Sequence, residues 1–436
     1  MPLPFRGGVV FGHAAEHKEP TSQSPIRPFT PARLVLLMRQ GVGAECLPIV
    51  KPGERVLAGQ AVAVPPEAKD GRPAFAAPIH CGVSGIVRAV EPRPSATGET
   101  LAVVVDSDGE GEAAPPLAHE ATRDGIRALM REAGLAGLGG AGFPTFLKYQ
   151  TNKPIRYVLV NGAECEPYLT GDHRLMAEQP ERVVAGAAAL QTAAGGAQVF
   201  LCVESNKPDA AALLEEAVRG REGMAVVRLP AKYPQGGERQ LIRAVLGREV
   251  PAGGLPADCG AVVNNVGTAA ALADALQGRP LTHRVVTVSG RVARPANLYV
   301  PIGTRLSELL DYCGGATGES RFLWIAGGPM TGAAMPSLEV PVTKGTTGLV
   351  VLDRPEFKES NCIRCGGCAR VCPSSLLPFA IDAAVIAGDM AACAAYRADQ
   401  CISCGCCSYI CPAKRPLAHR VTMARSAFLE NRAKRA

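Results

Sequence analysis

The chain has 436 residues, of which 47% are hydrophobic and 16 are cysteines, and its formal net charge is +6. This length predicts several domains, on the order of three or four, rather than a single core. Cysteines inside apolar runs such as residues 199–203 indicate reduced thiols and argue against a disulfide-rich secreted protein. No signal-peptide region and no apolar stretch of membrane-spanning length is visible, so we expect a soluble or membrane-peripheral protein.

The N-terminal part of the sequence predicts an arm followed by a β-rich module. Residues 1–31 are rich in Pro, Gly, His and Ser, which predicts an extended arm. Residues 47–64 predict two strands around a Pro-Gly turn, and residues 78–90 predict another hairpin. The pattern resembles the barrel-sandwich module of biotinyl and lipoyl carriers. Because Ser84 stands at the tip where a carrier has its modified lysine, we expect a structural module rather than a swinging arm.

The central part predicts an α/β domain with a mainly parallel sheet, because strand-like runs alternate with Ala-rich helical stretches. The predicted strands cover residues 155–160, 198–203 and 225–229, and the predicted helices cover 123–133, 182–194 and 210–219. From residue 284 to residue 311 the pattern returns to two strands and a short helix, which is the size of a small β-grasp unit.

A glycine-rich segment precedes the first strand of this α/β domain. Gly137, Gly139 and Gly142 match the pattern G-x-G-x-x-G, and Gly140 lies between them. A helix precedes the segment and Phe143 with a proline follows it, which is not the context of a standard Rossmann turn. The glycines allow backbone N–H groups to approach a phosphate. A helix terminator and linker explains this segment equally well.

Three later segments place polar side chains after apolar runs, the usual position of ligand contacts in an α/β sheet. They supply Asn161, Glu164 and Glu166; then Tyr233, Gly236, Gly237 and Glu238; and then Asn264, Asn265 and Thr268. Amides and hydroxyls can hydrogen-bond the edge of a flavin ring and its ribityl chain. Phe143 is a candidate for stacking on a nicotinamide or adenine ring, and the two glutamates of the first segment are candidates for shaping a nucleotide pocket.

The C-terminal part contains the pattern C-x2-C-x2-C-x3-C-P twice, which is the ligand pattern of two cubane [4Fe–4S] clusters. In this pattern three cysteines of one run bind one cluster and the fourth binds the other. Structural zinc favours two CxxC pairs instead, and Cys406 has no place in the pattern and is interpreted as a spare buried thiol. The expected ligand sets are Cys362, Cys365, Cys368 and Cys411 for one cluster, and Cys372, Cys401, Cys404 and Cys407 for the other.

Residues 414–436 carry seven basic side chains and one acidic side chain, so this tail accounts for the whole net charge. Leu417, Val421, Ala424 and Phe428 recur at helical spacing within it. A basic amphipathic helix can bind an acidic protein or an anionic membrane surface. A frayed, solvated tail that packs on the cluster domain is supported equally well.

Taken together, these segments resemble the FMN- and NADH-binding subunit of respiratory complex I, and more closely the C subunit of the Rnf electron-transport complex. The similarity to the C subunit rests on Gly-Leu-Gly-Gly-Ala-Gly-Phe-Pro-Thr, Asn-Gly-Ala-Glu-Cys-Glu-Pro-Tyr, Tyr-Pro-Gln-Gly-Gly-Glu, Asn-Val-Gly-Thr and Gly-Gly-Pro-Met, and on the doubled cysteine run. It covers roughly residues 5–425. Gln40 stands where many members carry a histidine, and the long C-terminal extension of some members is absent.

The resemblance implies a multidomain α/β protein. Its parts are a barrel-sandwich hybrid, a complex-I-flavoprotein-like (Rossmann-like) α/β domain, a β-grasp (SLBB) domain and an α-helical bis-[4Fe–4S] ferredoxin domain. It also implies FMN and NADH on the α/β residues named above and on Lys148, which follows the glycine loop. The expected segments are an arm (1–31), the barrel-sandwich module (32–115), the FMN/NADH domain (116–280), the β-grasp domain (281–350), the bis-[4Fe–4S] domain (351–413) and a basic C-terminal helix (414–436).

The function implied is that of an NADH-oxidising, electron-entry subunit of an ion-translocating complex (a translocase), peripheral on the cytoplasmic side of the bacterial inner membrane. NADH gives up two electrons together, whereas a cluster accepts one electron at a time. A flavin can accept two electrons and release them one at a time. The implied partners are the membrane subunits of the Rnf complex, with ferredoxin or flavodoxin as terminal acceptor; no nucleic acid partner is expected, and no side chain is assigned a catalytic role. The alternatives are a nucleotide-free iron–sulfur relay subunit and a soluble flavin-dependent cobalamin reductase.

Overall fold

The computed structural model of the chain describes residues 3–67, 74–318, 321–356 and 358–435, with side chains up to residue 430. The N-terminal arm is not extended throughout, which corrects the sequence prediction. It is tied down because Leu3 donates its N–H to the Ala244 carbonyl and Val9 exchanges two backbone hydrogen bonds with Tyr233. Its elements are α1 (His13–Glu16), α2 (Glu19–Ser22) and β1 (Ile26–Pro28).

The barrel-sandwich module consists of two antiparallel sheets with the strand orders β2-β8-β7-β4 and β3-β5-β6. The predicted pairing within residues 47–64 is present between β3 and β5, but the predicted hairpin over residues 78–90 is wrong. There β6 pairs with β5, whereas β7 forms a long hairpin with β8, whose buried valines supply the better apolar partner. The strands are β2 (Arg33–Leu37), β3 (Leu47–Pro48), β4 (Arg55–Val56), β5 (Ala61–Val64), β6 (Ile79–His80), β7 (Gly85–Ser95) and β8 (Gly98–Ser107).

The α/β domain is built on a parallel four-stranded sheet with the order β11-β10-β9-β12, which confirms the predicted parallel sheet. The chain leaves β9 towards β10 on one side and later returns to β12 on the other side. A topological switch point therefore lies between β9 and β12, where ligands bind in open α/β sheets. The elements are α3 (Arg123–Glu132), β9 (Tyr157–Gly162), α4 (Gly171–Glu178), α5 (Pro180–Ala193), β10 (Gln198–Glu204), α6 (Pro208–Ala217), β11 (Met224–Leu229), α7 (Glu238–Leu246), β12 (Ala261–Asn265) and α8 (Val266–Leu276).

Helices cover both faces of this sheet, which explains why its strands are apolar at consecutive positions. Val158 and Val160 of β9 pack in the cluster that contains α5 and α8, whereas Leu159 packs in the cluster that contains α7. The helices α5 and α8 approach each other very closely at Gly186. A Cβ there would lie 1.7 Å from the Ala269 carbonyl oxygen, so only glycine permits this crossing.

The β-grasp domain contributes a mixed sheet with the order β1-β14-β13-β17-β15-β16. Strand β1 of the N-terminal arm pairs in parallel with β14 at the edge of this sheet, so the arm is part of the β-grasp domain's structure. The elements are β13 (His283–Gly290), β14 (Ala296–Pro301), α9 (Leu306–Tyr312), β15 (Phe322–Ala326), β16 (Ala333–Ala334) and β17 (Gly348–Asp353).

The cluster domain is helical, and the C-terminal helix is part of its core. Leu417, Val421 and Ala424 are buried, and the last two pack in the cluster that contains Ile381, so the predicted helical spacing marks a packed face. Of the basic tail, the side chains of Arg432, Lys434 and Arg435 and the whole of residue 436 lie outside the described residues. The elements are α10 (Gly367–Arg370), α11 (Pro378–Ile386), α12 (Met390–Ala395), α13 (Cys406–Tyr409) and α14 (Leu417–Arg435). Among the described residues, no helix combines the length and apolarity needed to cross a bilayer.

Substitution of two isoleucines in α11 can test how much core packing contributes to the stability of the cluster domain. Ile381 is 0% exposed and Ile386 is 60% exposed. We expect Ile381→Ala to destabilise the cluster domain by about 2–5 kcal/mol because it opens a cavity in the core. Ile386→Ala, the matched control on the same helix, is expected to change stability by less than about 0.5 kcal/mol. The midpoint temperature for loss of cluster absorbance measures both, and equal midpoints would contradict the packing described here.

Candidate functional site

The carboxyl ends of β9 and β12 carry asparagines whose side chains are ordered by hydrogen bonds. The Asn161 amide donates to the Gly236 carbonyl at 2.9 Å. The Asn265 carbonyl oxygen accepts the Gly267 N–H at 2.7 Å, so that it caps α8, and its amide donates to Asp172 at 2.6 Å. Asn264 is buried and donates to the Tyr149 hydroxyl at 2.9 Å. The switch point is therefore lined by amides that are already oriented.

The glycine-rich segment forms a tight loop that lies against the end of β12. The Gly137 N–H bonds to the Phe143 carbonyl at 2.8 Å and closes the loop. A Cβ on Gly139 would lie 2.7 Å from the Asn265 amide nitrogen, so the close approach requires glycine. Within the described residues, the N–H groups of Gly139 and Gly140 have no protein acceptor, and open space adjoins Gly140. The loop thus offers free N–H donors of the kind that bind phosphate.

Thr268, in the first turn of α8, fixes the base of this loop. Its buried hydroxyl accepts the Leu138 N–H at 3.0 Å and donates to the Ala136 carbonyl at 3.2 Å. One hydroxyl therefore satisfies two buried backbone groups. The predicted site residue Thr268 acts here on the loop, and direct contact with a cofactor stays a prediction.

Two buried cations of the β-grasp domain also hold the glycine loop. Arg284 donates to the Leu138 carbonyl at 3.1 Å and to the Lys344 carbonyl. The Lys344 amine donates to the carbonyls of Pro78 and Gly134 at 2.6 and 2.8 Å. Burial lowers the pKa of Lys344 to about 8 and that of Arg284 to about 10. Neither residue was predicted from the sequence, although Arg284 stands at the start of the apolar run of β13, which is a signal of a buried cation.

The barrel-sandwich module contacts the loop from the other side. The Val42 N–H bonds to the Ala141 carbonyl at 2.8 Å, and Gln40 accepts the Lys344 N–H at 3.1 Å. Phe143 packs edge-on against Phe75 of the module, with ring centroids 4.9 Å apart. In the structure the partner of Phe143 is therefore another aromatic side chain, and stacking on a nicotinamide or adenine ring stays a prediction.

Lys148 and Glu238 meet at the carboxyl end of β12. The Lys148 amine donates to the Val263 carbonyl at 2.6 Å and lies 3.7 Å from a carboxylate oxygen of Glu238. Burial lowers the pKa of Lys148, and Glu238 opposes that effect. Gly236 and Gly237 lie just before Glu238, where α7 begins. This turn brings a cation and an acid to the same edge as the asparagines.

The two glutamates of the Asn-Gly-Ala-Glu-Cys-Glu segment are both engaged within the protein. Glu164 accepts the N–H groups of Asp172 and His173 at 2.9 and 3.1 Å, so it caps the N-terminus of α4. Lys18 of the arm and Lys207 both donate to the Glu164 carbonyl. These contacts are compatible with a role in shaping the pocket.

Glu166 lies at a junction of three parts of the chain. Its carboxylate accepts the Met330 N–H at 3.1 Å and the Thr331 hydroxyl, both from the β-grasp domain, and lies 3.3 Å from the Tyr233 hydroxyl. Tyr233 in turn donates to the Cys404 carbonyl at 2.8 Å. Burial raises the pKa of Glu166, and its hydrogen bonds oppose that effect. The α/β domain is therefore joined by hydrogen bonds to the second cysteine run.

The two cysteine runs exchange their fourth members in the way the spacing predicts. Cys362, Cys365, Cys368 and Cys411 line a single pocket together with Phe379. Their spacing and an all-thiol donor set fit a [4Fe–4S] cluster. Cys362 and Cys365 are exposed, so this pocket lies at the protein surface.

The second set of four cysteines lies deeper in the protein. Cys372, Cys401, Cys404 and Cys407 are each partly buried, whereas Cys362 and Cys365 are exposed. Burial raises the pKa of Cys407, and the neighbouring Cys404, Cys401 and Cys372 raise it further. Cys406 is fully buried and packs with Val9 and Tyr233 rather than at the surface. Binding of a cluster by each set stays a prediction for these residues.

Four family models match the chain. They are the RnfC barrel sandwich hybrid domain at residues 3–110, the Nuo51 FMN-binding domain at 130–274, the SLBB domain at 285–334 and a 4Fe-4S binding domain at 354–377. These matches confirm the predicted fold class and the FMN and [4Fe–4S] cofactors. The individual domain boundaries stay predictions.

Curated relatives match over most of the chain. The C subunit of the Na(+)-translocating ferredoxin:NAD(+) oxidoreductase complex of Acetobacterium woodii is 41% identical over 391 residues, which are 86% of each chain. The proton-translocating counterpart of Clostridium ljungdahlii is 40% identical over 86% of this chain and 82% of the relative. The C subunit of the ion-translocating oxidoreductase complex of Rhodobacter capsulatus is 40% identical over 88% of this chain and 76% of the relative.

The exchange of cysteines between the two runs can be tested by single substitutions. Cys411→Ser is expected to remove the surface cluster although Cys411 belongs to the second run, and Cys372→Ser is expected to remove the inner cluster. Each variant should hold about half of the wild-type iron, because each run supplies a ligand to the other cluster. Electron paramagnetic resonance of the reduced proteins identifies which signal is lost. The exchange would be contradicted if Cys411→Ser lost the same signal as Cys404→Ala, and Cys372→Ser the same signal as Cys365→Ala, because each fourth cysteine would then bind the cluster of its own run.

The role of Thr268 can be tested by FMN binding. Thr268→Val keeps the side-chain shape but leaves the buried Leu138 N–H unpaired, which costs about 1–3 kcal/mol. We expect FMN to bind about tenfold more weakly, since about 1.4 kcal/mol corresponds to a factor of ten. Thr268→Ser retains the hydroxyl and serves as the control. Quenching of flavin fluorescence measures both affinities, and equal affinity for the two variants would contradict this role.

Proposed function

The chain belongs to the family of C subunits of ion-translocating ferredoxin:NAD(+) oxidoreductase (Rnf) complexes, and we propose that it takes electrons from NADH through FMN and two [4Fe–4S] clusters to a partner subunit of such a complex. The match to the curated relatives extends over most of this chain and most of theirs. This match favours the electron-entry subunit over a nucleotide-free relay and over a cobalamin reductase.

The residues at the switch point fit a flavin mononucleotide. The glycine loop supplies free N–H donors for its phosphate, and Asn161 and Asn265 supply oriented amides for the polar edge of its ring and its ribityl chain, while Asn264 is buried against Tyr149 behind them. Lys148 adds a half-buried cation to the same edge. Bound FMN would accept two electrons as a hydride and release them singly.

Three observations support the order in which the clusters are used. The inner cysteine set is joined to the α/β domain, because Tyr233 donates to the Cys404 carbonyl at 2.8 Å. Gly405 lies directly against the β-grasp domain, since a Cβ there would be 2.8 Å from the Met330 carbonyl oxygen. The other set opens to solvent at Cys362 and Cys365. Electrons therefore pass from the nucleotide site to the inner cluster, then to the surface cluster, then to a partner.

The surface around the outer cysteine set (Cys362, Cys365, Cys368 and Cys411) fits a docking site for an acidic redox partner. Ile363, beside the cluster, is 67% exposed and forms an apolar centre. Arg364, Arg370 and Lys414 are exposed around it. An apolar patch with a cationic rim favours a partner with an acidic rim, and the association should weaken as salt is added.

The remaining parts of the proposal follow from the family. We assign the partner to the membrane subunits of the complex, which translocate the ion, and the terminal acceptor to ferredoxin or flavodoxin. The relatives' names specify Na(+) in one case and the proton in another. We assign this chain to the cytoplasmic side of the bacterial inner membrane, as a peripheral subunit.

Removing one cluster at a time tests the proposed order. Cys365→Ala removes a ligand of the surface cluster, and we expect NADH still to reduce the inner cluster at the wild-type rate. Cys404→Ala removes a ligand of the inner cluster, and we expect NADH to reduce the surface cluster at least about tenfold more slowly, because the intermediate centre is missing. Rapid-freeze paramagnetic resonance after anaerobic NADH addition measures both rates.

Dithionite reduction of each variant is the control that its remaining cluster is present and reducible. Equal rates in the two variants would contradict the order of the clusters. Failure of NADH to reduce either cluster of the FMN-loaded wild-type protein would contradict the proposed function itself.

A further inference from the structure

The two cysteine runs have nearly the same local structure. Arg364 and Ser403 occupy equivalent positions and both have left-handed backbones, with φ of 53° and 55°. The N–H of Arg364 lies 3.4 Å from the Cys362 sulfur, and the N–H of Ser403 lies 3.3 Å from the Cys401 sulfur. These two hydrogen bonds to sulfur are therefore alike, and the inner set has a further one, because the N–H of Leu376 lies 3.4 Å from the Cys372 sulfur.

The runs differ in the group that donates to the carbonyl of their second cysteine. The Cys365 carbonyl accepts from Arg370 at 2.9 Å, and this arginine belongs to the same run and is exposed to solvent. The Cys404 carbonyl accepts from the Tyr233 hydroxyl at 2.8 Å. Tyr233 belongs to the α/β domain and is 2% exposed. At equivalent positions, one donor is local and screened by water, and the other is remote in sequence and buried.

The surroundings of Tyr233 keep its hydroxyl in this orientation. Its backbone pairs with Val9 through two hydrogen bonds of 2.8 Å, and its ring lies 5.7 Å from that of Phe11. A carboxylate oxygen of Glu166 lies 3.3 Å from the hydroxyl oxygen. Because Glu166 is itself held by Met330 and Thr331, the phenol has little freedom to move away.

We propose that Tyr233 is a positioning residue for the inner cluster, and that its O–H group raises the reduction potential of that cluster relative to the outer one. The inference rests on the proposed assignment of Cys372, Cys401, Cys404 and Cys407 to one cluster. An O–H dipole that points its positive end at a ligand loop stabilises the more negative, reduced state of the cluster. Such outer contacts tune cluster potentials, and burial makes this one stronger because water does not screen it.

The test is a redox titration of the FMN-loaded protein, followed by paramagnetic resonance, for wild type, Tyr233→Phe and Tyr409→Phe. Tyr409 lies in the cluster domain beside Phe11 and is 51% exposed, so it is the matched control. In Tyr233→Phe we expect the equilibrium constant for reduction of the inner cluster to fall about threefold to tenfold. This is the change that loss of one neutral hydrogen bond produces. A tenfold change equals about 59 mV for one electron. The other cluster, and both clusters of Tyr409→Phe, should keep their midpoints.

The affected signal is assigned with Cys365→Ala, which keeps only the inner cluster. The inference is overturned if Tyr233→Phe holds both clusters and neither midpoint potential changes. It is also overturned if the midpoint potential of the outer cluster changes instead. If Tyr233→Phe loses its inner cluster on purification, Glu166→Gln decides. That variant removes a negative charge beside the phenol and should raise the same midpoint, and no change would overturn the inference. A wild-type protein without the inner cluster would instead refute the ligand assignment on which the proposed function depends.

Discussion

The arrangement of the domains depends on the half-buried carboxylate of Glu166. A carboxylate removed from water is stable only while its hydrogen bonds are kept. Its polar contacts come from the backbone of Met330 and the hydroxyl of Thr331, both in the β-grasp domain, and from the hydroxyl of Tyr233 in its own α/β domain. Separation of the two domains would leave a partly desolvated charge without two of these contacts. Tyr233 contacts both this carboxylate and the Cys404 carbonyl. The position of the α/β domain relative to the loop of Cys404 therefore depends on contacts from more than one domain.

The same principle explains how the glycine loop becomes a rigid site. Glycines give the loop freedom to approach a ligand, but that freedom must be removed by contacts from outside. Thr268 of α8 and Arg284 of β13 restrain Leu138 from two sides, and Val42 of the barrel-sandwich module restrains Ala141. The loop therefore has its functional shape only when three domains are assembled. This accounts for the presence of two β-rich domains that contribute no predicted cofactor ligand.

The sequence predicted features that local spacing encodes. Alternation of strands and helices predicted the parallel sheet, and the cysteine spacing predicted the exchange of Cys372 and Cys411 between runs, because each follows from the geometry of a short segment. Pairing between distant segments was not predictable in this way. The hairpin expected over residues 78–90 is wrong because β6 and β7 each have a better partner elsewhere. The bond from Tyr233 to Cys404 joins residues 171 positions apart, and no local pattern indicates it.

The distribution of basic residues shows why net charge alone did not locate the partner surface. The C-terminal tail carries the excess charge, but Arg415 and Arg420 both bind Asp382, which is 2% exposed, and Glu359. Removing either partner of such a buried pair leaves an uncompensated charge, so these arginines serve the cluster domain rather than a second molecule. The cations of the proposed docking surface lie beside the outer cysteine set, where Arg364 and Arg370 precede the tail and Lys414 is its first residue. In the proposed function, association and electron exit therefore share one surface, which would keep the donor and acceptor centres close.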